Sequence, residues 1–199
     1  MGSFSDYGTL QTTLATLFNR DDVTALVTTF IELAEDDLSG DIDHPRMIYR
    51  STFTADVQIP IPADYQRTSN MDAVAIGPVS FVSLSDFDAF NEGGAQGYYY
   101  TIIGDQFYFS SLLVGTEIVH TYRRRLPALS VYNVTNWILT TYPSAYLYAA
   151  AKHIAVYLIE DDRVPGFEAL YQAALGRINK NGVEMATPVF TKLIKRKVV

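Results

Sequence analysis

Residues 98–124, YYYTIIGDQFYFSSLLVGTEIVHTYRR, decide the fold, because they predict three consecutive strands inside a chain that is otherwise helical. Tyr98–Ile103 and Gln106–Leu113 are rich in aromatic and apolar residues, and they flank the pair Gly104-Asp105. Two such runs joined by two residues that include glycine are typical of a β-hairpin. A third strand is predicted at Thr116–Arg124, so the middle of the chain is a β region.

The predicted β region extends upstream to residue 46. From Met47 to Val57 the apolar and polar side chains alternate with a period of two, which indicates a strand. Ile59-Pro60-Ile61-Pro62 cannot lie at the centre of a sheet, because proline has no N–H to donate, so an edge or exit loop is expected. The remaining elements predicted here are strands at Val74–Ile76 and Val79–Leu84 and a helical turn, Asp86–Phe90, that Ser85 caps.

Helical periodicity lies on both sides of the β region. Upstream, Ser5 or Asp6 caps a first helix, and a second helix follows Asn19–Asp22 and ends at Ser39-Gly40-Asp41. The short connection predicts an antiparallel pair. The helices predicted downstream are a short one through Trp137–Leu139 capped within Asn133–Asn136, a long one at Pro143–Ile159, and a last one containing Phe167 and Ile178 that Asn181-Gly182 stops.

The predicted fold class is therefore α+β with three parts. Residues 1–45 and 127–182 form a four-helix bundle, residues 46–126 an inserted antiparallel β unit, and residues 183–199 an extended C-terminal arm. The two helix pairs are expected to share one core, because either pair alone leaves an apolar face uncovered.

Large aromatic side chains predict a contact between copies of the chain. Tyr98-Tyr99-Tyr100 are consecutive in a strand, so at least one ring faces solvent or a partner, unless a β core covers both faces. The helix Pro143–Ile159 is apolar nearly all round, and its second face is expected to meet another copy. The predicted subunit-interface residues are Tyr98, Tyr99, Tyr100, Tyr146 and Tyr157.

Composition excludes several kinds of protein. The 199 residues include no cysteine, which excludes disulfides, zinc–cysteine sites and thiol catalysis. The opening MGSFSDYGTL lacks the features of a signal peptide, and the apolar run at 145–159 is interrupted by Lys152 and His153. Neither export nor a membrane span is therefore expected.

Charge is unevenly distributed along the chain. Residues 188–199 contain four cations and no acid, so the 187 residues before them carry −7 − 4 = −11. The negative total argues against a surface dedicated to nucleic acid. The asymmetry instead predicts a basic tail on an acidic body.

The sequence offers no motif for catalysis or metal binding. His44, His120 and His153 share no ligand spacing, and nucleophile-elbow, Walker, zincin and EF-hand patterns are absent. Glu35-Asp36-Asp37 is interpreted as a solvated helix end, the alternative being a hard cation held together with Asp41 and Asp43, and Glu160-Asp161-Asp162 as a cap for the following helix. No catalytic residue, metal ligand or cofactor is predicted.

The basic run Arg123-Arg124-Arg125 closes the last predicted strand. Because side chains alternate along a strand, at most two of the three share a face. A salt bridge to the acidic body or to a neighbouring subunit is favoured over a phosphate contact.

Several stretches resemble one known protein family in the expected order along residues 3 to about 176. They are Phe4–Leu10, Phe30–Glu35 (the "FI-LAE" stretch), Tyr98–Gln106 (the "YYTIIGNQ" hairpin), Leu126–Ser130 with Thr135–Leu139 ("IPALS…TNWLL") and Tyr142–Ala149 ("P-LYLYGAL"). The chain thus resembles the head-to-tail adaptor (head-completion) proteins of podovirus-type tailed bacteriophages and prophages. One departure is Asp36–Asp41, which is more acidic than the family's "ARINREL".

The resemblance implies a structural virion protein and not an enzyme. Family members form a twelve-membered ring that binds the portal protein on one side and tail nozzle or fibre proteins on the other. The resemblance therefore implies that DNA passes through the ring without sequence-specific binding, that the subunit assembles in the host cytoplasm, and that no membrane takes part. Two alternatives stay open from the residues alone: a virion-associated peptidoglycan hydrolase using an unrecognised carboxylate pair, and a non-phage oligomeric binding module.

The C-terminal arm, residues 183–199, is predicted to order on docking to the portal or to a neighbouring copy. Thr187-Pro188 disfavours both helix and sheet, and the segment mixes apolar with basic groups. Such a strand suits a partner's sheet edge or groove. The predicted partner-binding residues are Phe190, Lys192, Leu193, Ile194, Lys195, Arg196, Lys197, Val198 and Val199. The alternative is a frayed, solubilising terminus.

Overall fold

A computed structural model describes residues 6–94 and 97–187. The described part contains six α-helices and eight strands, which confirms a mixed α+β class. The helices are α1 (Tyr7–Phe18), α2 (Asp21–Asp41), α3 (Leu84–Glu92), α4 (Trp137–Thr141), α5 (Pro143–Tyr157) and α6 (Val164–Ala186). The strands are β1 (Ile48–Thr54), β2 (Gln58–Pro60), β3 (Tyr65–Ala73), β4 (Gly77–Pro78), β5 (Ser80–Phe81), β6 (Tyr99–Ile103), β7 (Gln106–Phe109) and β8 (Glu117–Arg124).

The chain divides into two compact units. Ile48–Arg124 form one, called the β unit below, and the chain before and after it forms the other, called the helical unit. No helix within the described ranges has the length and apolarity that crossing a membrane requires.

The first two helices of the helical unit form the predicted antiparallel pair. Asp6 caps α1 by accepting a hydrogen bond from the N–H of Thr9, and Asn19 ends the helix in the left-handed conformation. The side chain of Gln11 in α1 donates to Thr28 in α2 across 3.2 Å, so the helices run in opposite directions from their short connection.

Most of helix α5 is buried by this chain's own helices, while Val156 and Tyr157 at its C-terminal end stay exposed. Pro143 occupies its first turn, where proline removes no helical hydrogen bond. Tyr146, Ala150 and Ile154 are fully buried in one core shared with α1, α2, α4 and α6. The second apolar face, which the sequence analysis assigned to another copy, is thus used within the chain, because α5 packs against both α2 and α6.

The arrangement is not a simple four-helix bundle. The short helix α4 contributes Ile138 and Leu139 to the same core as the four longer helices. Leu126 and Leu129, which precede α4 in an irregular segment, also lie in this core. The sequence predicted the short helix but not that either segment lies in the core, because neither is long enough to show a helical period with an apolar face.

Helix α6 does not stop at Asn181-Gly182, and this prediction was wrong. The helix continues to Ala186, so residues 183–186 of the predicted arm are helical. Gly182 is small for a packing reason, because a Cβ there would lie 2.8 Å from the backbone oxygen of Asp43. Asn181 also contacts the segment before β1, through a 3.2 Å hydrogen bond with His44.

The β unit consists of two four-stranded sheets around one core. Their strand orders are β1-β8-β3-β4 and β2-β7-β6-β5. The predicted hairpin is confirmed, since Ile103 pairs with Gln106 and Gly104 adopts φ +58° between them. The sheets are not wholly antiparallel as predicted, because β5 pairs with β6 in parallel. The strand containing Pro60 lies at a sheet edge, as expected for a proline.

One strand escaped prediction and one prediction was wrong. The sequence of β3, YQRTSNMDA, is mostly polar, yet β3 pairs with β8 through a register interrupted by two shifts. Val74–Ile76 form a turn instead of a strand, with Ala75 at φ +65°. Their apolar character, which suggested a strand, does not reflect burial, because all three residues are exposed.

Candidate functional site

The segment that leads into α4, residues 125–136, is held to α2 by buried hydrogen bonds. The backbone N–H of Leu129 donates to the carboxyl of Glu35 across 2.7 Å, and that of Leu126 donates to the hydroxyl of Ser39 across 3.1 Å. Glu35 and Ser39 are both buried. Side chains of helix α2 therefore provide hydrogen-bond acceptors for backbone N–H groups of a segment that has no regular structure of its own.

Asn136 ties the same segment to α5. Its amide nitrogen donates to the carbonyl of Pro127 at 3.0 Å and to the hydroxyl of Tyr146 at 2.5 Å. Its amide oxygen caps α4 by accepting from two backbone N–H groups. The Tyr146 hydroxyl in turn donates to Glu35 across 3.2 Å. These groups form a continuous buried polar network, which fixes the loop rigidly.

Glu35 is the titratable centre of this network. Burial raises the pKa of its carboxyl to about 7, although the bonds from the Leu129 N–H and the Tyr146 hydroxyl act in the opposite direction. A raised carboxyl pKa can mark a general acid, but Glu35 is only 8% exposed. Its Oε1 accepts two hydrogen bonds from the protein itself, so the arrangement suits a structural role.

The anchored loop presents an exposed apolar tip. Ser130 and Asn133 exchange backbone hydrogen bonds of 3.0 and 3.2 Å, and the Ser130 hydroxyl accepts from the N–H of Tyr132 and of Asn133. Between them the side chains of Val131 and Tyr132 are 74% and 97% exposed. A rigid loop with an exposed tyrosine is typical of interaction surfaces.

The other carboxylates of α2 serve separate partners. Asp37 accepts from Lys152 at 2.8 Å and from His153 at 2.9 Å, and Asp41 accepts from the hydroxyl of Tyr171 at 3.0 Å. The acidic stretch therefore holds α5 and α6 and is not merely a solvated helix end, as the sequence had suggested. Within residues 6–94 and 97–187 no three acidic or histidine side chains converge as a metal site would require.

The three arginines at the end of β8 point to different partners. The guanidinium of Arg125 lies 3.5 Å from the carboxyl of Asp36, which confirms the predicted salt bridge to the acidic body. That of Arg124 stacks over the ring of Tyr49 at 5.1 Å. Arg123 is buried and bonds within the β unit. The run does not form a single phosphate-binding patch.

The tyrosines predicted to form a subunit interface divide into two groups. Tyr99, Tyr100 and Tyr146 are at most 6% exposed, so they have almost no surface to offer a partner. Tyr98 and Tyr157 are 44% and 49% exposed. Tyr98 and Tyr157 are therefore the two of the five whose rings are exposed, and a subunit interface at them stays a prediction.

Helix α3 and the core of the β unit explain the burial of Tyr99 and Tyr100. The ring of Tyr99 contacts those of Phe87 and Phe90 at centroid distances of 5.6 and 5.4 Å, and its hydroxyl donates to Asn91. Tyr100, on the opposite face of β6, lies in the core of the β unit. Both faces of the strand are therefore covered, which is the alternative that the sequence analysis had left open.

A second exposed apolar feature lies between α5 and α6, and sequence reasoning missed it. Ile159 adopts φ +58° and is 81% exposed. The expected capping of α6 by the adjacent acidic run is wrong, because α6 has no side-chain cap. Glu160 instead pairs with Arg163 across 2.6 Å. A β-branched residue gives no sequence signal for a left-handed conformation, so Ile159 could not have been found.

The predicted partner-binding residues of the arm lie outside the described residues. They are Phe190, Lys192, Leu193, Ile194, Lys195, Arg196, Lys197, Val198 and Val199. Their role stays a prediction.

A known protein family matches most of this chain. The SU10 adaptor protein family matches residues 5–192, which is nearly the whole chain. It is a family of phage head-to-tail adaptors, in agreement with the resemblance seen in the sequence. No curated protein matches the chain.

Proposed function

The chain belongs to the SU10 adaptor protein family, and from this membership we propose that it is the adaptor subunit that joins the portal to the tail. In this proposal about twelve copies form a ring that binds the portal protein on one side and tail nozzle or fibre proteins on the other. DNA passes through the ring without sequence-specific contacts. The subunit assembles in the host cytoplasm and is carried in the virion. The family match over residues 5–192 is the observation that carries the proposal.

Three carboxyl groups of α2, which bond within the protein, support a structural role over peptidoglycan hydrolysis. The carboxyls of Glu35, Asp37 and Asp41 bond to groups of the protein itself. A peptidoglycan hydrolase that uses a carboxylate pair needs two carboxyls that face a substrate cleft. The residues that do face outward include large apolar side chains, Tyr132 among them, which suit protein contacts.

Co-assembly with the portal protein tests the proposal. The purified chain would be mixed with the portal of the same phage, and the mass of the complex measured by mass photometry at increasing chain concentration. The account expects one saturating complex whose added mass equals about twelve copies. No binding to the portal, together with turnover of peptidoglycan by the free chain, would favour the hydrolase instead. A control with an unrelated oligomeric ring of similar charge excludes non-specific adsorption.

A further inference from the structure

We propose that residues 156–163, called the α5–α6 corner below, form a docking site for the basic segment 188–199 of a second copy of this chain. This inference rests on the proposed function only in that a ring brings copies side by side. The occupant is identified by its chemistry: a segment that combines apolar side chains with positive charge. Each copy carries one corner and one such segment, so the contact is heterologous and can close into a ring.

The backbone at Ile159 is the first observation. A φ of +58° is one that β-branched residues rarely adopt, because the side chain crowds the neighbouring carbonyl. The N–H groups of Ile159 and Glu160 bond back to Val156 and Ala155 at 3.1 and 3.0 Å, a helix end at which glycine is the usual residue. The subunit therefore keeps a strained isoleucine although its side chain is 81% exposed and gains little packing.

Two further exposed apolar side chains lie close to Ile159 in the sequence. Val156 and Tyr157 are 58% and 49% exposed, and they lie within three residues of Ile159. Ile159 and the four residues that follow line an open depression in the surface. Contiguous exposed apolar groups rimmed by charge mark interaction sites in soluble proteins.

The corner is held in place by packing beneath it. The guanidinium of Arg163 lies 4.8 Å from the ring centre of Phe18 and 5.3 Å from that of Phe167. It also pairs with Glu160 across 2.6 Å. A surface fixed in this way loses little conformational freedom when a partner binds, which favours affinity.

Charge identifies the kind of occupant. Asp161 and Asp162 are exposed, and neither forms an ion pair or hydrogen bond with any residue that the structure describes. Residues 188–199 contain four cations and no acid. The apolar residues of that segment are Val189, Phe190, Leu193, Ile194, Val198 and Val199. The segment thus complements the corner in both charge and apolarity.

Chain length favours another copy over the same chain. Helix α6 starts beside the corner at Val164, and its 23 residues carry the chain about 34 Å away before it ends at Ala186. An extended chain advances at most about 3.6 Å per residue, so Lys195 reaches about 32 Å from Ala186, and only residues 196–199 can extend beyond the length of α6. Most of the basic segment therefore cannot cover the corner of its own subunit.

Disulfide trapping in the full chain tests the contact, since the natural sequence has no cysteine. Two differently tagged populations, one with Asp161→Cys and one with Lys195→Cys, would be mixed and oxidised mildly, with and without portal protein. We expect a heterodimer on non-reducing gels at several-fold higher yield than from the control pair Tyr132→Cys and Lys195→Cys. Tyr132 is a suitable control because it is 97% exposed and lies far from the corner. Its loop bonds to Tyr7 at the start of α1, whereas Phe18, which packs beneath the corner, lies at the end of α1.

The variant Ile159→Gly tests the backbone strain and the binding role of the exposed side chain separately. Glycine accepts the left-handed conformation, so the melting temperature should rise by a few degrees. Loss of the isoleucine side chain should at the same time lower the heterodimer yield by several-fold in the Asp161→Cys population. Ile159→Asn, which also tolerates this conformation, should lower the yield similarly. A higher melting temperature with an unchanged yield would overturn the anchoring role of Ile159.

The outcomes distinguish this inference from the proposed function. Equal yields from the Asp161 and Tyr132 pairs, or a bond formed within one chain by the Asp161→Cys, Lys195→Cys double variant, would overturn the docking site. A portal complex that forms without the heterodimer would overturn the docking site alone. A heterodimer that forms while no portal complex does would support the docking site and contradict the adaptor proposal.

Discussion

Two buried titratable side chains give the two units opposite responses to pH. In the helical unit, burial raises the pKa of Glu35 from 4.5 to about 7, so the native state holds a proton that the unfolded chain releases. The contribution of Glu35 to the free energy of unfolding is complete below pH 4.5 and is lost as the pH rises through 7. In the β unit, burial lowers the pKa of His120 from 6.5 to about 4. The contribution of His120 is complete above pH 6.5 and is lost as the pH falls toward 4.

Glu35→Gln tests the first response. The glutamine oxygen can accept the bonds from Leu129 and Tyr146 without an ionised form, so the free energy of unfolding at pH 8 should rise by up to about 3 kcal/mol. At pH 4, where glutamate is also neutral, variant and wild type should be alike. Urea unfolding followed by the fluorescence of Trp137, the single tryptophan, which packs against the core of the helical unit, measures both values. A difference of the same size at pH 4 would contradict this account.

His120→Gln tests the second response. The His120 ring stacks on Tyr122 at 4.7 Å and bonds to Thr68 through Nε2, while Nδ1 finds no partner among the described residues. Between pH 7 and 4.5 the wild-type β unit should lose about 1–3 kcal/mol of stability that the variant does not lose. Hydrogen-exchange protection of the β8 amides at the two pH values gives the comparison. Equal losses in variant and wild type would show that another group titrates.

At the element scale, the sequence predicted the elements that local chemistry determines and misplaced or missed those that packing determines. The Gly104-Asp105 hairpin and a cap within Asn133–Asn136 were predicted because turn and cap chemistry is local, and the structure gives that cap as Asn136. The end of α6 was misplaced because Asn181-Gly182, normally a stop signal, meets the segment before β1. Strand β3 was missed because its sequence is mostly polar. It is a strand because it pairs with β8, and no local pattern indicates that pairing. The Glu35 network depends on residues more than 90 positions apart, which no periodicity reveals.

Gly182→Ala tests whether the glycine is there for packing. The new Cβ would lie 2.8 Å from the Asp43 backbone oxygen and 3.1 Å from the His44 Cα, so we expect destabilisation of about 1–3 kcal/mol. Gly176→Ala is the matched control in the same helix, because its Cβ would meet nothing within 4 Å. It should raise stability by up to about 1 kcal/mol, as alanine is the better helix former. Equal effects of the two changes in thermal unfolding would remove the packing explanation.

At the scale of the whole molecule, family membership and the outward-facing side chains both fit a structural phage protein. The family match extends through both units, so the β unit belongs to the adaptor and is not a separate added domain. Exposed apolar groups occur at the loop that carries Tyr132 and at the α5–α6 corner. The carboxyls on α2 are used to hold helices together. The exposed apolar groups at these two places are the kind of surface that suits protein contacts.

Electron cryomicroscopy of the complex between this chain and the portal of the same phage tests the central claim most directly. The account predicts one ring of about twelve copies on the tail-facing side of the portal, with an open channel on its axis. Both units should be traceable in each copy, and the ring should leave a free lower face for tail proteins. Density elsewhere on the portal, or no ring at saturating chain concentration, would contradict the adaptor assignment.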